Sequence, residues 1–276
     1  MEQEQEEAPP RVLIVAGSDS SGGAGIQADI KTVSMLGGYA MTAITAITAQ
    51  NTLEVAEVEA IEGWLVERQI EVTLSDIGAD VIKTGMLPTR GAVKAVCKAL
   101  RSSQIPIVVD PVLVATSGGR LADSDVARSI VEDLLPRAAV VTPNVPEAIA
   151  LTGIHVETWD DFGAVADALL SRGAGAVLVK GGHLETERVR DLLRTADGEE
   201  YWFESERIDT RSTHGTGCTL ASAIACGIGE GHTLRHAVAR ARDYVLAALR
   251  HAPGFGHGRG PLGHSHPLFP RRSGSS

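Results

Sequence analysis

The sequence predicts an α/β fold, a three-layer α/β/α sandwich with a mostly parallel central sheet and an antiparallel hairpin at one edge. Three observations predict it. Strand and helix signals alternate along most of the chain. The runs "RVLIVAG", "IPIVVD" and "GAVLVKGG" are apolar throughout instead of alternating, as strands covered on both faces are. Late in the chain, "DLLRTADGEEYWFES" breaks the rhythm with two β-like runs around an Asp-Gly turn, a hairpin signal. Helices between buried parallel strands make right-handed crossovers, and ligands in such folds sit beyond the carboxyl ends of the strands.

The elements follow in order. Arg11 to Asp19 reads as a buried strand ending in turn residues. In "GAGIQADIKTVSMLGG", Ile26, Ile30 and Val33 recur at helical spacing and Gly37-Gly38 stop the helix. "YAMTAITAITAQNT" is β-rich, Trp64 to Leu74 helical, and "ADVIKTG" a strand. Gly91 to Leu100 is expected as helix, "IPIVVDP" as strand, Ser124 to Leu135 as helix and "AAVVTPN" as strand. A short helix "VPEAIALTG", a helix from Phe162 to Ser171 and the strand "AGAVLVKGG" precede the hairpin. Two helices end the pattern, Thr216 to Ile228 and Leu234 to Leu249, the second with Leu234, Val238, Ala241, Val245 and Leu249 on one stripe. There is no internal repeat and no inter-domain linker. The expected organisation is an acidic disordered tail over 1–10, one domain over 11–266, and a flexible tail over 267–276.

Composition narrows the function classes. The 276 residues include 43 % hydrophobic and 22 % charged ones, ordinary for a globular protein with a sizeable core. A net charge of -10 opposes wholesale nucleic-acid binding, which needs a basic face, but leaves room for a local positive pocket. Cys97, Cys218 and Cys226 are odd in number and widely spaced, which argues against a disulfide framework and fits a reducing cytoplasm. "MEQEQEEAPP" is the opposite of a targeting peptide, and no apolar run approaches the ~20 residues of a membrane span. The tail histidines His251, His257, His264 and His266 match no zinc spacing.

Polar signatures recur after the predicted strands: "GSDSSGGAG" with Asp19, "AQNT" with Gln50, "KTGM" with Lys83 and Met86, "DPV" with Asp110, "TPNVPE" with Asn144 and Glu147, and "KGGH" with Lys180. Each alone is turn chemistry; together they outline one composite cleft. "SDSSGGAG" is neither GxGxxG nor a Walker loop. "HGTGC" feeds the helix "TLASAIACGI", and backbone N–H groups at a helix N-terminus make an anion site. Cys218 falls in that first turn. Such a place lowers a thiol pKa, yet free cysteines are more often small buried hydrophobes, and the spacing leaves both open. Asp110, Asn144 and Glu147 are oxygen donors of the kind a Mg²⁺–nucleotide site uses. Lys180 fits a phosphate, or a surface lysine whose stem lies on apolar neighbours.

Seven motifs in order carry a family resemblance: "AGSDSSGGAGIQADIKT", "TAITAQNT", "IKTGML", "VVDPV", "TPNVPEA", "VKGGH" and "THGTGCTLASAIA". From about Arg11 to about His264, the chain resembles the bacterial hydroxymethylpyrimidine/phosphomethylpyrimidine kinases of thiamine biosynthesis, within the ribokinase-like superfamily. The resemblance implies ATP- and Mg²⁺-dependent phosphorylation of 4-amino-5-hydroxymethyl-2-methylpyrimidine (HMP) to its monophosphate and then its diphosphate, by a cytoplasmic homodimer with no nucleic-acid or membrane partner. It implies that Gly17, Asp29, Gln50, Met86 and Val112 line the pyrimidine pocket, that Asp110 and Glu147 act on Mg²⁺, and that Lys180, Asn144 and Thr213 contact the nucleotide. The backbone from Gly215 through Gly217 to Cys218 would form the anion hole, with Cys218 as the catalytic group and general base where many relatives carry aspartate. Gln50 has the donor and acceptor to read an aminopyrimidine edge.

One departure is Thr116, which stands where the family more usually carries lysine. Three alternatives compete: a pyridoxal kinase on the same fold, a thiol hydrolase with Cys218 as nucleophile and His214 as base, and a non-catalytic pyrimidine-binding protein.

Overall fold

A computed structural model describes residues 8–113 and 124–268. Its centre is a nine-stranded sheet in the order β3-β2-β1-β4-β5-β6-β7-β8-β9. The strands are β1 (Arg11–Asp19), β2 (Tyr39–Gln50), β3 (Val55–Ala60), β4 (Val81–Thr84), β5 (Ile107–Val109), β6 (Ala138–Val141), β7 (Ala176–Val179), β8 (Arg188–Thr195) and β9 (Glu200–Glu206). From β2 to β7 every pairing is parallel; β3, β8 and β9 add antiparallel edges.

Alternate residues of each central strand feed two cores. Leu13 and Val15 face the layer of α2 (Gly63–Asp76), α3 (Arg90–Ala99), α4 (Ser124–Ser129), α5 (Val145–Thr152) and α6 (Phe162–Leu170). Val12 and Ile14 face α1 (Gly25–Met35), α7 (Thr216–Gly229) and α8 (Leu234–Arg250). Both faces are therefore dry, which is why these strands carry no polar alternation. The strand order reverses at β1: β2 lies on one side and β4 on the other. The crevice opened by that reversal, at the carboxyl ends of the strands, is the natural ligand site.

The expected elements are present with small shifts at their ends, and two features differ. A second antiparallel edge exists at β3, whose sequence VAEVEA is exposed over nearly its whole length. A strand that buries almost nothing leaves little hydrophobic signal, and its alternating glutamates suit an edge protected from further pairing. The continuous helix expected from Ser124 to Leu135 is broken: α4 ends at Ser129, a π turn covers Ile130–Leu134, and a 3-10 turn covers Leu135–Arg137. Pro136 has no amide proton to offer the preceding turn.

At the amino end, the carbonyl of Pro10 accepts from Tyr39 N at 2.9 Å, so the last residue assigned to the acidic tail is held against β2. Residues 1–7, the C-terminal positions 269–276 and Thr116 lie outside the described residues. No helix of the described residues is long and apolar enough to cross a membrane.

Phe162 begins α6 fully buried and stacks on Trp202 at 6.2 Å between ring centroids. Phe162→Ala is expected to lower unfolding stability by about 3–5 kcal/mol in urea titrations; a loss below about 1 kcal/mol contradicts this packing.

Candidate active site

The strand ends converge on a cleft of about 550 Å³. Gly17, Gln50, Met86, Asp110, Val112, Asn144, Glu147, Lys180, Thr213, Gly215, Gly217 and Cys218 all line it. Asp29 does not. Its carboxylate is fully buried behind the wall, 2.9 Å from Lys83 Nζ at both oxygens, and accepts from Ser222 Oγ at 2.7 Å. Ser222 lies one helical turn beyond Cys218, so this pair underlies the first turns of α7. Burial pulls the Lys83 ammonium down, but Asp29, Cys218 and Asp110 outweigh it and hold its charge above the ordinary lysine range. Burial pushes the Asp29 carboxyl up, against the pull of Lys83 and Ser222. Three hydrogen bonds from two donors, Lys83 Nζ and Ser222 Oγ, make the pair ionic. Asp29 is thus a support of the site's floor and not a pocket residue; a lysine inside an apolar strand was the available signal, because a buried ammonium needs a partner.

The N-terminus of α7 has no side-chain cap, and its N-cap Gly215 sits at φ +82°. A Cβ there would lie 1.9 Å from the carbonyl oxygen of Gly23, so only glycine permits this approach. The amides of Gly217 and Cys218 find no acceptor among the described residues. Uncapped amides at the positive end of a helix are an anion site. Across from them, a Cβ on Gly217 would lie 3.2 Å from Lys180 Nζ and 3.8 Å from both carboxylate oxygens of Asp110. The bare backbone therefore faces the charged pair directly.

Lys180 Nζ lies 3.2 Å from Asp110 and 3.9 Å from Glu147. Asn144 and Glu147 also form the capping box of α5: Asn144 Oδ1 accepts from Glu147 N at 3.0 Å, and Glu147 Oε2 accepts from Asn144 N at 2.8 Å. Both residues fix a helix start as well as facing the cleft. Burial, reinforced by Asp110, pushes the Glu147 carboxyl up to about 7 despite Lys180 and the Asn144 amide. Asp110 Oδ2 is buried without a hydrogen-bond partner. Among the described residues no group of three His, Cys, Asp or Glu side chains gathers to hold a metal. An orphaned carboxylate oxygen beside a second carboxylate nevertheless fits Mg²⁺, which takes one or two carboxylates and fills its shell with phosphate and water.

The other wall rests on Asp19. Its carboxylate accepts from Ser21 N at 2.8 Å, Gly23 N at 3.1 Å, Ala24 N at 2.8 Å and His214 Nε2 at 2.8 Å. Burial opposes its charge, but His214, Ser21 and Ala24 hold the carboxyl down at about 2. Gln50 is oriented beside them: Oε1 accepts from Thr48 Oγ1 at 3.3 Å, and Nε2 lies 3.3 Å from His214 Nε2. His214 is thus committed to Asp19, and no hydrogen bond joins it to Cys218 among the described residues. The Cys–His pair that a thiol hydrolase requires is not formed.

Cys218 itself corrects an expectation. Burial pushes its thiol up to about 12; Lys83 and the Gly25 amide oppose this, while Asp29 and Asp110 add to it. The helix terminus does not bring this thiol near 7, because burial disfavours the thiolate and the carboxylates of Asp29 and Asp110 add to that effect.

This doubly covered parallel sheet, with an uncapped helix opposite a lysine–carboxylate cluster, defines a kinase of the ribokinase-like class. The chain belongs to the phosphomethylpyrimidine kinase family, whose model matches residues 19–263. It is 45 % identical over 256 residues to a hydroxymethylpyrimidine/phosphomethylpyrimidine kinase of Streptomyces coelicolor, covering 93 % of this chain and 94 % of that protein. It is 46 % identical over 255 residues to the thiamine biosynthesis bifunctional protein ThiED of Geobacter sulfurreducens, covering 92 % of this chain and 52 % of that protein. Among solved structures, the pyridoxal kinase of Staphylococcus aureus in complex with ADP superposes with a TM-score of 0.86 at 34 % identity over 94 % of each chain.

The raised thiol predicts that iodoacetamide labels Cys218 of the unliganded protein slowly at pH 7, with a rate still climbing through pH 10. A rate that levels off near pH 7, followed by peptide mass mapping, contradicts this environment.

Proposed function

We propose that the protein transfers the γ-phosphoryl group of ATP to the hydroxymethyl oxygen of HMP, and then to the resulting monophosphate, as a step of thiamine biosynthesis. The observation that carries this reading is the uncapped start of α7, with Cys218 in its first turn, facing Lys180 and the Asp110–Glu147 pair across one cleft. Phosphoryl transfer asks mostly for positioning and charge stabilisation, and these parts supply it.

The Gly217 and Cys218 amides and Lys180 hold the transferring phosphoryl group. Asp110 and Glu147 would hold Mg²⁺, which neutralises phosphate charge when bound. Asn144 and Thr213 bound the nucleotide side of the cleft. Gln50, fixed by Thr48 and set beside His214, presents an amide to the aminopyrimidine edge, and Met86, Gly17 and Val112 give that ring an apolar wall. Cys218 stands beside the acceptor hydroxyl. Its resting form is the thiol, which already holds a proton; only the thiolate form takes up the proton of the acceptor hydroxyl, and it does so late, as the new P–O bond develops in a loose transition state. A cytoplasmic homodimer completes the proposal, supported by the family relationship. The pyridoxal reading draws support from the structural likeness to the pyridoxal kinase named above; the sequence relationship to hydroxymethylpyrimidine kinases favours HMP.

Incubation with MgATP and either HMP or pyridoxal, followed by mass, tests this. HMP is expected to give mono- and then diphosphate, and Cys218→Ala to lower kcat by about 100-fold or more with HMP. No phosphorylated HMP, or turnover by Cys218→Ala near that of the unsubstituted protein, contradicts the reading.

A further inference from the structure

The Gly-rich segment after α8 lies against the cleft, hydrogen-bonded to the loop after β2 on one side and to the approach to α7 on the other. Arg259 N donates to Thr52 O at 2.9 Å and Gly258 N to Thr52 Oγ1 at 3.2 Å. Gly260 N donates to Arg211 O at 3.2 Å, and Gly260 O accepts from His214 N at 3.1 Å, one residue before the anion-hole glycine. A Cβ at position 258 would lie 2.1 Å from Thr52 O, and one at 260 would lie 2.9 Å from Phe255 O. The strap is therefore too tightly docked for side chains on either side of Arg259, which alone of the three extends one.

Arg259 lines the main cleft and also a second cavity of about 460 Å³; Thr210 and Thr213 are shared by both. Among the described residues, the other lysine and arginine side chains of the cleft are engaged. Lys180 faces two carboxylates, Arg242 pairs with Asp191 at 2.7 Å, and Arg207 donates to the carbonyls of Thr186, Gly182 and Leu184. Arg259 has no carboxylate partner among the described residues. Its field reaches the opposite wall: burial, then Lys180, Arg259 and Arg207, hold the His183 imidazole below its ordinary range.

We propose that Arg259 is the specificity-determining residue for the second acceptor, binding the phosphate of the pyrimidine monophosphate beside the anion hole. This rests on the function proposed above. The first acceptor is a neutral alcohol, whereas the second carries a phosphate with a charge of about −1.5 to −2. Lys180 and the α7 amides serve the phosphoryl group in transfer in both steps, so a second phosphate needs a further cation, and a guanidinium binds one in two-pronged fashion. In that step an anionic oxygen of the acceptor phosphate forms a bond to the γ-phosphorus. The bond from that phosphorus to the bridging oxygen breaks, and its electron pair leaves on ADP. The acceptor oxygen bears no proton in this form, so none has to be removed.

The test is steady-state kinetics of the full chain and of Arg259→Gln with MgATP and either HMP or HMP monophosphate. The ratio of kcat/KM for the monophosphate to that for HMP is expected to fall about 10- to 100-fold in the variant, mainly through KM. Monophosphate should accumulate in the two-step time course, and Arg259→Lys should recover part of the ratio. Thermal melting checks that both variants fold. An unchanged ratio, with either equal losses in both steps or none, overturns the role of Arg259 alone. No turnover of HMP or its monophosphate by the unsubstituted protein overturns the functional reading and this role together.

Discussion

The cleft depends on one carboxylate. Asp19 ends β1, and its two oxygens gather amides of the following turn and the imidazole of His214, 195 residues away in sequence. That contact locks the turn after β1 against the approach to α7 and brings the carbonyl of Gly23 so close to Gly215 that no side chain fits between them. An anion site made of backbone amides has no side chain to adjust; it binds only if the backbone is already in place. The donors around Asp19 offset the cost of burying its charge and keep it ionised far below neutral pH. Its contribution is complete above the ordinary aspartate range and is lost only as pH falls toward about 2.

Around this frame, positive and negative groups are matched nearly one for one. Lys83 and Asp29 neutralise one another under α7, and Lys180 stands between Asp110 and Glu147. Among the described residues, unmatched groups line the cleft: the α7 amides and Arg259 on the positive side, Asp110 Oδ2 on the negative. A chain with a net charge of -10 thus holds a site for a polyanion and a divalent cation by local arrangement. Burial keeps the Cys218 proton in place, and the carboxylates of Asp29 and Asp110 work with it against Lys83.

Most of the fold was legible because its strands are buried on both faces and its helices are bounded by glycines. β3 was not, since an exposed edge strand of alternating valine and glutamate has no hydrophobic signature. Of the site, residues at strand ends were legible as a class, because position in the fold brings them to one crevice. Long-range pairing was not. Asp29 looks like a ligand group in its motif and is instead the partner of Lys83. Asn144 and Glu147 read as oxygen donors, while their shared capping box appears only when α5 is built. The helix turn and the burial of Cys218 pull its thiol in opposite directions, and how deeply it is buried, with Lys83, Asp29 and Asp110 around it, is visible only once the chain is folded. The glycines flanking Arg259 carry no motif of their own, and only their contact with Thr52 and Phe255 shows why side chains are excluded.

A carboxylate at position 19 pre-organises the anion site. Asp19→Asn keeps the shape of the side chain and removes its charge, leaving His214 and the turn amides competing for one carbonyl oxygen. Single-turnover phosphoryl transfer to HMP, measured on protein whose circular dichroism shows the native fold, is the direct measurement. A rate lower by about 100-fold or more, the scale of losing an oxyanion-hole donor, is the predicted result; a folded variant that transfers at the rate of the unsubstituted protein would contradict the account.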